Sequence, residues 1–383
     1  MTELGERILA AAAEEKEAMV SFIMELASME SPSDVPESQI PVQERLSEAL
    51  RELGFAVERR PGKSTGGHLL ARLEGRDPTG PTQLLLGHCD TVWQLGTLDV
   101  MPLVLEENRL RGPGVFDMKG GLAQIVFSLR ILKRLNLEPE VAPVVLVNSD
   151  EEIGSPESGP AIRRVAEEAV RAFIPEPGMG FEGKLKTLRK GWGRFDLTVT
   201  GKAAHAGLDP TGGASAILEL AHLIPRLHDM TDLGRGLTVN VGVISGGTRS
   251  NVIAAEARAE VDVRVLSTDD GKEAEEWIRA LSTTVPGTFL TIDGGFHVPP
   301  LEPTPRNRAL WEAARDAGRD LGMELEEATA GGGSDGNTTS QHTATLDGLG
   351  PVGDGAHAPH EFLFVDKQLE RLALLTRLLL LAP

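Results

Sequence analysis

Three short apolar runs, none of which alternates with polar residues, constrain this chain more than anything else in it. Gln83-Leu84-Leu85-Leu86 closes on Gly87-His88-Cys89-Asp90-Thr91, and Val141 to Val147 closes on Asn148-Ser149-Asp150-Glu151-Glu152-Ile153-Gly154. Ala172-Phe173-Ile174 closes on Pro175-Glu176-Pro177-Gly178. A strand that is apolar throughout has to be buried on both faces, the pattern of a parallel sheet with helices above and below. Helical stretches stand between the runs, at roughly 122–135 after the loop Arg111 to Gly121 and at roughly 159–170. The order strand, helix, strand, helix, strand predicts an α/β fold: a mostly parallel sheet covered by helices on both faces. Ligands of such sheets lie beyond the carboxyl ends of the strands. Here, three of those ends carry His or acidic residues.

The flanking chain completes this picture. The first fifty-odd residues read as two helices, Glu3 to Leu26 and Val42 to Leu53, the second stopped by Gly54. Phe55 to Arg59 and His68 to Leu73 read as strands around the turn-rich Pro61 to Gly67. From about Gly191 the texture changes. Phe195, Leu197 and Val199 alternate with polar residues, as do Val239 to Val243 and Ala257 to Val265, which predicts half-buried antiparallel sheet. Two amphipathic helices, near Ala214 to His228 and Gly271 to Leu281, lie among these strands. At 383 residues the chain is long for one core. The expected organisation is a discontinuous first domain, 1–180 and 296–383, carrying an inserted α+β domain over 181–295.

Composition bounds the function classes. The formal net charge is -19, from 57 acidic and 38 basic residues, so phosphate backbones and anionic lipid are repelled. Aromatic residues make up 4% and tyrosine is absent, which argues against a stacking platform for bases or sugars. Neither a nucleic acid nor a membrane is an expected partner. Cys89 is the single cysteine, which excludes an internal disulfide and any multi-cysteine metal site. Met1-Thr2-Glu3-Leu4-Gly5-Glu6 lacks a basic head before an apolar core, so the cytoplasm is the expected location, with a trimmed secreted form as the alternative. The leucine-rich end, Leu372 to Leu381, is short and carries Arg377, and reads as a packed helix.

The polar strand ends can be weighed as one constellation: His88, Asp90, Asp117, Glu151, Glu152, Glu176 and the late His357. His88 and Asp90 leave an extended backbone on the same side, as a metal ligand and an orienting carboxylate do, or as a buried histidine and an ordinary acceptor do. A His/carboxylate set without thiolates suits catalytic zinc, cobalt or manganese. Two histidines with at least three carboxylates exceed the need of one four-coordinate ion, and two ions sharing a carboxylate is the economical reading. Adjacent Glu151 and Glu152 point in opposite directions if extended, so one can bind metal while the other faces a reacting water. Singly, each feature has a plain alternative. Asp150-Glu151-Glu152 reads as a solvated turn, Gly112-Pro113-Gly114 as a tight turn, Glu176 as a loop charge and His360 as a surface histidine.

Five segments occur in a telling order: Gly87-His88-Cys89-Asp90-Thr91-Val92; Gly112-Pro113-Gly114 through Asp117-Met118-Lys119-Gly120-Gly121; Asp150-Glu151-Glu152-Ile153-Gly154-Ser155; Pro175-Glu176-Pro177; and Gly355-Ala356-His357. They resemble the metal-site motifs of the di-zinc aminoacylase/carboxypeptidase family, which includes bacterial glutamate carboxypeptidases, succinyl-diaminopimelate desuccinylases, acetylornithine deacetylases and dipeptidases. The resemblance spans essentially the whole chain. It implies a zinc-exopeptidase-like fold whose inserted domain serves as lid and dimer contact, and two divalent ions, zinc first with cobalt or manganese as alternatives. It also implies roles. Asp117 would bridge the two ions, His88 and Glu176 would complete one site, and Glu152 and His357 the other. Glu151 would be the general base, and Asp90 would orient His88. His205, in Gly201-Lys202-Ala203-Ala204-His205-Ala206-Gly207, would reach the partner's site and stabilise the oxyanion. Asn251, Arg264 and the loop Gly331-Gly332-Gly333-Ser334-Asp335 would anchor a substrate carboxylate, although Arg264 also suits the polar face of its strand beside Asp262. The implied activity is cleavage of an amide beside a free α-carboxylate, as in a glutamate carboxypeptidase acting on a small peptide or N-acyl amino acid. A deacylase or dipeptidase is the alternative, and a non-catalytic metal-binding relative a third. Met118 departs from the carboxypeptidase pattern, in which a second acidic residue often follows the bridging aspartate.

Overall fold

The computed structural model describes residues 1–77 and 79–383 and divides the chain into two compact units. The first comprises Met1–Thr187, Pro303–Ala330 and Ser334–Pro383; the second comprises Leu188–Glu302 and Gly331–Gly333.

The first unit is built on an eight-stranded sheet. Its order is Phe55–Arg60, His68–Leu73, Ala142–Asn148, Thr82–His88, Ala169–Ile174, Ala344–Asp347, Leu185–Arg189, Glu327–Ala330. Thr82–His88 runs parallel to Ala142–Asn148 on one side and to Ala169–Ile174 on the other, and Ala344–Asp347 continues the parallel run. Antiparallel pairs occupy the flanks: Phe55–Arg60 with His68–Leu73, His68–Leu73 with Ala142–Asn148, and Leu185–Arg189 with Ala344–Asp347.

Successive side chains of the apolar runs enter different cores. Leu84, Leu86, Val144, Leu146, Ala172 and Ile174 pack with Ile162 and Val165 of the helix Gly159–Glu168. Leu85, Val145, Val147 and Phe173 face the larger core, shared with the helices Gly120–Arg134 and Val365–Leu378. Burial of each such leucine is worth about 1.5–3 kcal/mol relative to exposure. That is why these strands carry no polar alternation. The Leu-rich end belongs to this core, and among the described residues no helix is long and apolar enough to cross a membrane.

The polar strand ends emerge together because the parallel register aligns them: His88 pairs with Asn148. A small antiparallel sheet brings in the distant C-terminal segment, in the order Gly353–Asp354, Phe362–Phe364, Arg109–Arg111, Val104–Glu106. Phe362 pairs with Arg111, so the loop containing His357 is stitched beside the chain leading to Asp117. Gly121 permits a further close approach, since a Cβ on it would lie 2.0 Å from the carbonyl oxygen of Pro175.

The second unit is a four-stranded antiparallel sheet ordered Thr238–Gly246, Glu256–Val265, Gly191–Thr200, Phe289–Val298. Phe195, Leu197, Val199 and the alternate residues Ala257 to Val265 form one buried face against Leu220, Leu223 and Leu227 of the helix Ala216–His228 and Ala274 and Ile278 of the helix Thr268–Arg279. Two helix boundaries differ from the sequence reading. Thr268–Arg279 starts before Gly271 because the Ser267 hydroxyl accepts from the Asp270 N–H and caps it there. The N-terminal stretch is two helices, Glu3–Glu14 and Lys16–Ser28. At the break, Glu15 is 3% exposed and its carboxylate pairs with Arg130 at 3.4 Å and Arg134 at 3.2 Å.

Gly121→Ala should force the helix Gly120–Arg134 away from Pro175, costing about 1–3 kcal/mol as an overpacking substitution. Gly159→Ala, whose Cβ would meet nothing within 4 Å, is the control and should be neutral or stabilising. Urea titrations of both variants check the difference.

Candidate metal centre

Asp117 lies between two histidines. One carboxylate oxygen is 3.2 Å from His88 Nε2 and the other is 3.5 Å from His357 Nε2. Glu176 approaches His88 Nε2 at 3.4 Å, and Glu152 approaches His357 Nε2 at 3.1 Å. Glu151 is also near, with Oε2 3.9 Å from His88 Nε2. Two overlapping sets, His88/Glu151/Glu176 and His88/Asp117/Glu152, have donor atoms within 4.8 Å of one another. The second set puts Glu152 with His88, but its 3.1 Å contact with His357 is shorter than that limit, so we associate Glu152 with His357. The structure therefore brings His88, Asp117, Glu151, Glu152, Glu176 and His357 into one cluster, with Asp90 behind it.

Local chain geometry explains how each gets there. His88 closes a central strand, and its N–H donates to Met118 Sδ at 3.3 Å. Met118 is 1% exposed, so this departure from an acidic residue is a core contact under the strand and not a change among the ligands. Glu176 sits between Pro175 and Pro177, and its carbonyl accepts from Gly350 N–H at 2.8 Å. His357 has φ +59°, a left-handed conformation costly for a non-glycine residue, held in a segment tied at both ends by the small sheet. The Asp117–Met118 peptide is cis.

Asp90 lies against His88, as expected, through its main chain as well as its side chain. His88 Nδ1 is 2.9 Å from the main-chain oxygen of Asp90, while the Asp90 carboxylate is 3.4 Å away. That carboxylate accepts from the Ser33 hydroxyl at 2.7 Å and from the N–H groups of Glu151 and Glu152 at 3.3 and 3.2 Å. So it holds the paired glutamates in place, and the backbone of the same residue orients the imidazole. Ser33 was missed because nothing in its local sequence distinguishes it.

The electrostatics are those of crowded acceptors. Burial pushes the Glu151 carboxyl well above its ordinary value; His88 opposes the rise and Glu176 adds to it. Burial raises Glu152 too. For Asp117, burial would raise the carboxyl, but His357 and His88 outweigh it and hold it low. His88 is raised although burial alone would lower it, because Asp117, Asp90 and Glu176 surround it. Asp117 and Glu152 raise His357 to about 10. A buried to half-buried group of carboxylates around two imidazoles is a donor set that hard or borderline divalent cations take, and their charge would offset the crowding of Glu151 by Glu176. The residues fit such ions. Cys89 does not join them: it is fully buried in the core, and burial, reinforced by Asp90, pushes its thiol up to about 12.

The substrate candidates divide between the units. Ser334 is buried in the first unit, donates to Asp347 and caps the helix Asp335–Ser340. Its neighbour Asp335 accepts from Asn148 Nδ2 at 2.7 Å and is raised by burial to about 7, an unforeseen link to the segment carrying Glu151. In the second unit, the Gly332 and Gly333 carbonyls accept from Arg189 at 2.9 and 2.6 Å. Arg264 donates to Asp262 at 3.0 Å and to the Gly331 carbonyl at 3.3 Å. Arg264 is thus engaged by its strand neighbour, the plain alternative noted for it. His205 and Asn251 are brought side by side: Ala206 N–H donates to the Asn251 carbonyl at 3.0 Å and Ile253 N–H to Ala204 at 2.9 Å. His205 Nδ1 accepts from the N–H groups of Gly207 and Leu208, both at 3.1 Å, which leaves Nε2 as the donor nitrogen.

Comparison with known proteins agrees with this arrangement. Residues 84–381 match the model of peptidase family M20/M25/M40. Carboxypeptidase G2 of Pseudomonas sp. (strain RS-16) is 29% identical over 379 residues, 97% of this chain and 90% of that protein. Acetylornithine deacetylase of Myxococcus xanthus is 30% identical over 269 residues, 65% of this chain and 67% of that one. Among solved structures, aminopeptidase PepT of Bacillus cereus ATCC 10987 superposes with a TM-score of 0.79 at 21% identity, covering 95% of this chain and 98% of that one. The chain belongs to peptidase family M20/M25/M40. It is a hydrolase of the peptidase or amidohydrolase type, with the mixed α/β fold of that family.

Asp117→Asn should lower the metal content of the purified protein, because it weakens donors to both histidine sites at once. Met118→Leu, a volume-conserving swap costing less than about 1.5 kcal/mol, should leave metal content unchanged. Elemental analysis of the two variants decides.

Proposed function

We propose that this chain is a two-metal exopeptidase of glutamate-carboxypeptidase type, cleaving an amide beside a free α-carboxylate. The observation that carries the reading is the Asp117 carboxylate, whose two oxygens address His88 at 3.2 Å and His357 at 3.5 Å, a placement suited to a carboxylate that would serve two ions. His88, Asp117 and Glu176 would hold one ion, and Asp117, Glu152 and His357 the other, with zinc suited to this set and cobalt or manganese as alternatives. Two such cations would supply Lewis-acid polarisation of the scissile carbonyl and ease deprotonation of a nearby water.

The remaining steps fall to the chain itself. Glu151 would take the proton of the attacking water and return it to the leaving amine, a role supported by its position beside the cluster, with Oε2 3.9 Å from His88 Nε2. The His205 Nε2–H donates to the oxyanion of the tetrahedral intermediate, supplied from the partner of a homodimer formed through the inserted domain. Asn251, beside His205 in the same loop pair, and Arg264 would receive the substrate carboxylate, the latter by exchanging Asp262 for it. Carboxypeptidase G2, matched along 97% of this chain, supports the carboxypeptidase reading. An N-acyl-amino-acid deacylase or dipeptidase is the second reading, favoured by the matched acetylornithine deacetylase.

A panel of N-acyl-glutamates, N-acetyl amino acids and dipeptides, with mass-spectrometric detection of the released amine, separates these readings. Release of glutamate from an aryl- or acyl-glutamate is the expected result, and no cleavage of any panel member by metal-loaded protein would overturn the proposal. Glu151→Gln should lower turnover by about 10²–10⁴-fold while keeping metal content near wild type. Mixing His205→Ala protomers with Glu151→Gln protomers should restore part of the activity; no recovery would place His205 in its own chain's site.

A further inference from the structure

Glu361 is fully buried, and none of the roles above uses it. One of its carboxylate oxygens accepts from the N–H groups of Phe116 at 2.9 Å and Asp117 at 3.1 Å. The other accepts from the Gly114 N–H at 3.0 Å and the Trp93 indole N–H at 2.7 Å. Its main-chain oxygen takes a fifth donor, Gly112 N–H, at 3.2 Å. The residue lies four positions after His357, and its own N–H closes the intervening turn by donating to the Ala358 carbonyl at 3.0 Å. Three segments therefore meet on one side chain: the stretch following His88 through Trp93, the loop ending at Asp117, and the loop carrying His357.

We propose that Glu361 is a positioning residue of the metal centre, whose carboxylate fixes the main chain of Asp117 against the His357 loop so that Asp117 can address both histidines. The chemistry of the side chain supports this. A carboxylate is acceptor-only with about four lone-pair sites, and all four of its partners are donors. Glutamine has the same shape but would turn an NH₂ toward two of those donors, leaving buried N–H groups opposed. Burying a carboxylate is costly, and here the cost is opposed by charge-assisted bonds to the main chain of the loop that carries Asp117. The role is indirect: Glu361 touches the backbone of Asp117 and not the reacting atoms. Glu219 in the second unit is a built-in comparison, a buried carboxylate accepting from Thr284 and Val285 N–H at 2.8 and 2.6 Å and anchoring a loop with no ligand on it.

The inference rests on Asp117 and His357 being metal ligands, so the test measures metal affinity, independently of substrate. Protein stripped with a chelator is titrated with zinc by calorimetry and by competition with a chelating dye, and its thermal midpoint is recorded before metal is added. Glu361→Gln should weaken zinc binding by roughly 10–100-fold, the usual effect of losing a group that orients a ligand. Glu219→Gln should lower the thermal midpoint and leave zinc affinity unchanged. Trp93→Phe, which deletes one donor of the four, should weaken zinc by at least about threefold, and it decides alone if Glu361→Gln does not fold. Wild-type zinc affinity in the folded variants, within about twofold, overturns the proposal. If Asp117→Asn itself binds zinc as wild type does, the ligand assignment fails, and the proposal with it. A weakened Asp117→Asn beside an unaffected Glu361→Gln overturns the positioning role alone.

Discussion

The contact on which the rest of the site depends is the sharing of one carboxylate between two imidazoles. Asp117 can face His88 and His357 only if a central strand end, a loop leading into the helix Gly120–Arg134 and a segment near the C-terminus converge. The parallel register delivers the first of these. The small sheet, with Phe362 opposite Arg111, delivers the last. Ordinary backbone pairing thus converts residues separated by more than two hundred positions into neighbours a few ångströms apart.

That convergence has an electrostatic cost that the surroundings manage. Asp117, Glu151, Glu152 and Glu176 crowd a largely enclosed volume, and burial raises Glu151 and Glu152. The main chain is held against this crowding by hydrogen bonds: Asp90 collects the N–H groups of Glu151 and Glu152, and Glu361 those of Phe116 and Asp117. Carboxylates behind the site hold the backbone of carboxylates within it. Repulsion alone would spread the cluster, and the order in these loops reflects bonds to neighbours that are not themselves ligands.

The second unit obeys different physics. Its sheet buries one face against two helices and exposes the other, so its pattern alternates where that of the first unit does not. Charged residues on the exposed face neutralise one another along the strand, as Arg264 and Asp262 do, which is why a strand arginine cannot be assigned to substrate from sequence alone. The His205 and Asn251 loops are instead joined by main-chain bonds, and two N–H groups select the donor nitrogen of His205.

Much of the architecture was legible along the chain, because unbroken apolar runs have one stable placement, between two layers of helices, and Leu84, Leu85 and Leu86 take it. The polar endings of those runs, with Asp117 and the late His357, already stood out as one group, and motif order added the roles expected of them. Helix starts were less legible, since a single cap such as Ser267 moves a boundary by a turn. The supporting residues were not legible at all. Ser33 has no distinguishing neighbours, Trp93 and Glu361 merely adjoin motif segments, and the partners of the three lie 57, 268 and about 245 residues away. Sequence by itself determined which side chains could hold metal, because donor chemistry is a property of residue type. Only the tertiary structure decided what orients them, because a hydrogen bond to main-chain N–H is available to any segment that packing brings within reach.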